Sequence, residues 1–202
     1  MKKLIALLLL FTLLLAACAA KPDAPSADPS ADVPASESGP SDGEPADYPF
    51  NGSFGNVTSF SAGTLDGGTL NETAFRGHDL TVVNVWGTYC GPCLAEMADL
   101  AAFAKSLPDR VQFWTVCVDA VGNKDAVERI LSEAGYEGRT LITWDGDLTK
   151  TLDNVLYIPT TLFFDENGVC VGKEIIGGQQ DFSAAYTAAV NETLTAMGKD
   201  AL

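Results

Sequence analysis

The chain has 202 residues, with 12 Lys or Arg against 27 Asp or Glu, 5 Cys, a single His and a formal net charge of -15. This balance excludes a cationic nucleic-acid surface, because phosphate contacts need clustered Lys and Arg. One histidine also excludes a three-histidine metal centre.

The first 17 residues read as an export signal: Lys2 and Lys3 precede Leu4 to Leu15, a run interrupted only by Thr12. A membrane span needs about 20 apolar residues, so this run is too short to be one. It ends in Leu15-Ala16-Ala17-Cys18, which resembles the lipobox of bacterial lipoproteins. That resemblance implies diacylation of Cys18 and cleavage before it. The competing reading is an ordinary secretory signal cut after Ala-x-Ala, with Cys18 incidental. Without residues 1–17 the chain keeps 10 basic and 27 acidic side chains, a charge of -17.

Residues 18–47 are rich in Ala, Pro, Ser and Asp, with Val33 the one large aliphatic. Too little apolar surface is present to offset ordering entropy, so a disordered, lipid-anchored tether is expected. As a flexible coil it would separate its ends by roughly 30 Å. Residues 48–202 have the size of one domain, with nine basic and twenty acidic side chains.

Within that domain, 54–75 reads as short strands around the turn Asp66-Gly67-Gly68. Leu80–Trp86 is nearly continuous in apolar character, as a strand buried on both faces should be. Cys90-Gly-Pro-Cys93 follows, and then Leu94–Lys105, a helix with apolar residues at 94, 97, 100, 101 and 104. Further along come a strand at Val111–Val118, a helix at Lys124–Ala134 closed by Gly135, a strand at Arg139–Trp144 and a short helix at Leu148–Val155. Tyr157–Phe164 reads as a strand with Pro159 at its entrance, joined by the turn Asp165–Gly168 to a return strand at Val169–Ile176. Asp181 should cap a last helix that reaches about Met197. The order βαβ, then hairpin, then helix predicts an α/β domain with a mixed central sheet.

Chemistry concentrates at Cys90 and Cys93. At a helix N-terminus, free backbone N–H groups and the helix dipole favour an anion, so a Cys90 thiolate is stabilised. Pro92 suits the first turn, having no N–H to leave unpaired. Cys93, three residues on, is within reach of a disulfide and can resolve a mixed disulfide formed on Cys90.

From about residue 54 to 197 the chain resembles the thioredoxin superfamily, and within it the extracytoplasmic, membrane-attached thiol-disulfide oxidoreductases of the TlpA/ResA type. The resemblance rests on Val83-Asn-Val-Trp-Gly-Thr-Tyr-Cys-Gly-Pro-Cys93, on Glu96, and on Ile158-Pro159-Thr160 ahead of the Asp-Glu-Asn-Gly hairpin. It implies a thioredoxin-like fold, helices on both sides of a mixed sheet, with an added N-terminal β-hairpin. Cys90 and Cys93 become a redox-active disulfide, with Trp86, Tyr89, Gly91, Pro92, Ile158, a cis Pro159 and Thr160 shaping the substrate groove. Glu96 matches an acid that exchanges a proton with the resolving thiol; an ordinary surface glutamate is the alternative. Relatives often carry Trp and Pro where this chain has Tyr89 and Ala98, and Ala98 implies a helix without that proline's kink.

The resemblance further implies reduction of disulfides in exported proteins, apocytochrome c among the candidates, on the outer face of a bacterial cytoplasmic membrane. Electrons would come from a membrane carrier of the CcdA/DsbD type, since no nicotinamide or flavin motif is present, and a monomer without cofactor is expected. Zinc is a poor reading: Cys117, Cys170 and His78 stand singly in apolar strands or a turn. Leu94 stands where covalent haem attachment through Cys-x-x-Cys requires His. Cys117 and Cys170, on strands either side of the active-site strand in this topology, are expected as buried free thiols. A redox-inactive binding module and a thiol peroxidase are the rival functions. The first explains a short Cys-x-x-Cys ring poorly, and the second lacks an obvious resolving cysteine.

Overall fold

A computed structural model describes residues 51–202. The export signal, Cys18 and the tether lie outside the described residues. The described elements are β1 (Ser61–Thr64), β2 (Thr69–Asn71), a 3-10 turn (Glu72–Phe75), β3 (Leu80–Trp86), α1 (Gly91–Ser106), β4 (Val111–Cys117) and α2 (Lys124–Ala134). Then follow β5 (Arg139–Trp144), α3 (Asp147–Asp153), β6 (Thr160–Phe164), β7 (Cys170–Ile176) and α4 (Phe182–Ala196). The strands form one seven-stranded sheet in the order β2-β1-β5-β4-β3-β6-β7. β3, β4 and β5 run parallel, while β6, β7 and the β1–β2 hairpin pair antiparallel. This is the mixed sheet of a thioredoxin-like fold, and the expected N-terminal hairpin joins it through β1 and β5.

β3 holds the centre, and all seven of its residues are buried. Strand periodicity splits them: Leu80, Val82 and Trp86 pack into a core with Met97, Leu100 and Phe103 of α1 and with Tyr186 and Val190 of α4. Val83 and Val85 face the opposite core, with Phe75, Trp114, Leu148, Leu162 and Phe164. Burying one such aliphatic side chain stabilises the fold by about 1.5–3 kcal/mol, so a strand buried on both faces anchors whatever is attached to its end. The Cys-x-x-Cys segment is attached there.

Some boundaries differ from the sequence expectation. The segment before Phe60 contributes only an isolated bridge, Asn56 to Val169, and the 54–75 region ends in a 3-10 turn rather than a strand. Asn71 caps that turn, its Oδ1 accepting the N–H of Thr73 at 3.1 Å, and Phe75 is turned into the core. α1 begins at Gly91, not Leu94, and runs unbroken through Ala98. β6 starts at Thr160, because Pro159 lacks the N–H that would extend the ladder, and Tyr157 and Ile158 remain loop. Asp181 caps α4, with the Ala184 N–H donating to Oδ1 at 3.0 Å. Among the described residues no helix is long and apolar enough to cross a membrane.

Candidate active site

Parallel β3 and β4 end at the same edge of the sheet, and the chain leaving β3 turns through Gly87-Thr88-Tyr89 into α1. Cys90 is the N-cap of α1, with extended backbone, and its Sγ accepts the Cys93 N–H at 3.2 Å. Pro92 occupies the first turn. The two cysteines form a disulfide with Cα atoms 5.3 Å apart. In the reduced state the same N–H and the positive end of the helix dipole would face the Cys90 sulfur, an arrangement that favours an anion there.

The second wall is the loop before β6. Ile158–Pro159 is a cis peptide, and the Ile158 carbonyl oxygen lies 3.6 Å from Cys90 Sγ. Gly87 is where the loops close on each other: a Cβ there would sit 3.1 Å from Tyr89 Cε1 and 3.2 Å from Ile158 Cδ1. The third wall is 177–179, where the Gly177 N–H donates to the Pro159 carbonyl at 2.8 Å and the Gln179 N–H to Glu96 Oε2 at 3.3 Å. A Cβ on Gly178 would lie 3.3 Å from Pro92 Cβ, so glycine lets this loop lie against the Cys-x-x-Cys turn.

Glu96 is 5% exposed, which overturns its reading as an ordinary surface glutamate. Its Oε1 has no hydrogen-bond partner among the described residues. Burial pushes its carboxyl up to about 7, against the opposing hydrogen bond from Gln179. A carboxyl poised there can accept or supply a proton at neutral pH.

Two residues expected in the groove are not on it. Trp86 is 0% exposed, the last residue of a strand buried on both faces, and supports the site from beneath. The Thr160 side chain is buried as well, its Oγ1 donating to the Tyr157 carbonyl at 2.8 Å. Tyr89, 71% exposed, and Gly91 and Pro92 are open to solvent, Ile158 is half-buried and Pro159 buried. Cys117 and Cys170 are buried free cysteines, and burial pushes both thiols up to about 12. His78 sits in the turn before β3, its Nδ1 2.8 Å from the Asp109 carbonyl oxygen.

Sequence reasoning passed over Asp119. β3 and β4 pair with a constant offset of 31, from Leu80 with Val111 to Trp86 with Cys117. That offset brings Asp119 level with Thr88, and a hydrogen bond joins them. It also passed over the buried hydrogen-bonded set Asn84, Thr161 and Tyr186, which ties β3 and β6 to α4 beneath the site. No spacing rule could have paired residues so far apart in sequence.

A family model described as Redoxin matches residues 52–189. No curated protein matches the chain. Among solved structures, a thiol:disulfide interchange protein of the thioredoxin family from Chlorobium tepidum is 23% identical, with a TM-score of 0.54, covering 67% of this chain and 95% of that one. StoA from Bacillus subtilis is 23% identical at a TM-score of 0.51, covering 61% and 92%. The exposed lipoprotein thioredoxin Etrx1 of Streptococcus pneumoniae is 23% identical at 0.52, covering 64% and 96%. With its thioredoxin-like sheet and a Cys90–Cys93 disulfide at the N-terminus of α1, the chain belongs to the Redoxin family and carries the cysteine pair of a thiol-disulfide oxidoreductase.

Proposed function

We propose that this oxidoreductase reduces disulfide bonds of exported proteins, held by a lipid on Cys18 at the outer face of a bacterial cytoplasmic membrane. The observation that carries the reading is Cys90 as N-cap, its sulfur facing the Cys93 N–H and the Ile158 carbonyl at the sheet edge. Large apolar side chains stand exposed in the segments that meet there: Tyr89 before the pair, Leu156 and Tyr157 before the cis-proline, and Ile176 at the end of β7. Such a rim suits an apolar polypeptide segment better than a small polar substrate.

The Cys90 thiolate attacks one sulfur of the substrate disulfide and expels the other as a thiolate, leaving a mixed disulfide. Cys93, its proton passed to Glu96, attacks Cys90 Sγ, releases the second substrate thiolate and closes the Cys90–Cys93 disulfide. Two electrons have passed to the substrate. Returning them requires a dithiol donor, which we assign to a membrane carrier of the CcdA/DsbD type. Gly-Pro between the cysteines, as in thioredoxin, supports the reductive direction. The Leu-Ala-Ala-Cys18 sequence supports the anchor, and the lipoprotein nature of Etrx1 is in keeping with it.

The test is reduction of insulin by the purified chain with dithiothreitol as donor. Turnover well above the dithiothreitol background, abolished by Cys90→Ala, is expected. Equal rates for the wild type and Cys90→Ala would reject the enzyme reading in favour of a binding module.

A further inference from the structure

The carboxylate of Asp119 makes more contacts with the cysteine-bearing loop than the fold needs to join β4 to α2. Oδ1 accepts the Thr88 N–H at 2.9 Å, and Oδ2 accepts the Thr88 hydroxyl. Thr88 therefore gives both of its donors to one carboxylate, two residues before Cys90. The buried Cys117 thiol donates to Oδ1 at 3.3 Å from the end of β4. Asn123 Nδ2 donates to the Asp119 carbonyl at 2.8 Å and to Oδ2 at 3.3 Å.

Asn123 is the N-cap residue of α2, yet its side chain makes no capping hydrogen bond there. Its amide goes to Asp119 instead, at the expense of a cap that ordinarily stabilises the start of a helix. Gly87 completes the arrangement, since a Cβ there would lie 3.3 Å from Asp119 Oδ1. Among the described residues no Lys or Arg contributes to this cluster: its donors are a backbone amide, a hydroxyl, a thiol and a carboxamide. The carboxylate is an acceptor fixed by four donors rather than half of an ion pair.

We infer that Asp119 is a positioning residue for disulfide exchange, clamping Thr88 so that the Gly87–Tyr89 loop holds Cys90 Sγ over the first turn of α1. The Cys90 N–H donates to the Gly87 carbonyl at 3.1 Å, so the clamped residue lies inside the turn that aims the sulfur. A loop free to drift moves that sulfur from the Cys93 N–H and the helix terminus, which stabilise its thiolate. This inference rests on the oxidoreductase reading, but the thiolate readout below does not need a turnover assay.

The clamp and the charge of Asp119 make opposite predictions. Removing a negative charge near Cys90 would by itself favour the thiolate and shift its formation to lower pH. Loosening the loop shifts it to higher pH. Asp119→Asn keeps the shape but replaces one acceptor oxygen by an amide donor, which faces either the Thr88 N–H and the Cys117 thiol or the Asn123 amide. Thr88→Val removes the hydroxyl alone and leaves the backbone bond. The experiment follows the rate of iodoacetamide labelling at Cys90 against pH in the reduced full chain, read by mass spectrometry, together with insulin reduction.

For Asp119→Asn the labelling profile moves to higher pH and kcat/KM falls by about tenfold, the equivalent of one hydrogen bond of about 1.4 kcal/mol. Thr88→Val moves both in the same direction by less, and the double variant is no worse than Asp119→Asn alone. An unchanged profile, a shift to lower pH, or losses that add in the double variant would each overturn the clamp. Should wild-type turnover be absent, the labelling profiles still decide the role of Asp119, so the two readings fail separately.

Discussion

Glu96 is the residue at which burial and chemistry are most tightly joined. Its raised carboxyl keeps a proton to about pH 7 in the folded protein, whereas an unfolded glutamate releases it near 4.5. The native state therefore binds more protons between those values, so its contribution is fully present below 4.5 and is lost as pH rises through 7. The loss amounts to at most about 3.5 kcal/mol at roughly 1.4 kcal/mol per pH unit. Urea unfolding of the oxidised protein should show stability falling from pH 5 to 8, and Glu96→Gln should remove most of that slope. In single-turnover reduction, the same variant should lose the rise near pH 7 in closure of the mixed disulfide, which then follows the resolving thiol's own titration. An unchanged rate profile would leave Glu96 as a buried structural acid. The spacing in α1 was a weak guide here: Leu94, the first of its apolar positions, is 39% exposed, while Cys93, Glu96 and Met97 are buried. Alanines on both sides of this helix leave little polarity difference from which to read its orientation.

Among the elements, β3 and β4 were legible because buried parallel strands are nearly continuous apolar runs, β5 from its short β-branched stretch around Leu141 and Ile142, and α2 because Gly135 ends it in the left-handed region. The 3-10 turn at 72–75 was not, since its formation depends on Phe75 reaching the far core rather than on local pattern. β7 meets α4 under a constraint no motif announces. Gly172 has φ +65, and a Cβ there would stand 2.3 Å from Thr193 Oγ1. Gly172→Ala combines a left-handed backbone penalty with a clash against the buried Thr193 side chain, and should cost about 2–4 kcal/mol by urea denaturation. Gly91, where a Cβ meets nothing within 4 Å and no positive φ is required, should accept Ala with little loss of stability. Equal costs at both positions would mean that the β7–α4 contact is looser than this packing requires.

At the scale of the whole molecule, the seven-strand order comes from the structure, whereas the α/β class with a mixed sheet followed from the alternation of strands and helices together with the terminal hairpin. The clustering of Tyr89, Leu156, Tyr157 and Ile176 at one end did not, because it needs the tertiary arrangement. Five cysteines separate into one proposed anchor outside the described residues, one disulfide pair and two buried thiols held protonated by burial. Among the described cysteines, only the Cys90–Cys93 pair sits at a helix N-terminus. The most direct test is to replace Cys93 by Ala in the full chain, incubate the reduced protein with insulin, and map any mixed disulfide by mass spectrometry. A covalent adduct on Cys90, absent from Cys90→Ala and released by dithiothreitol, is the predicted result. No adduct, or one carried by Cys117 or Cys170 instead, would contradict a Cys90-led exchange.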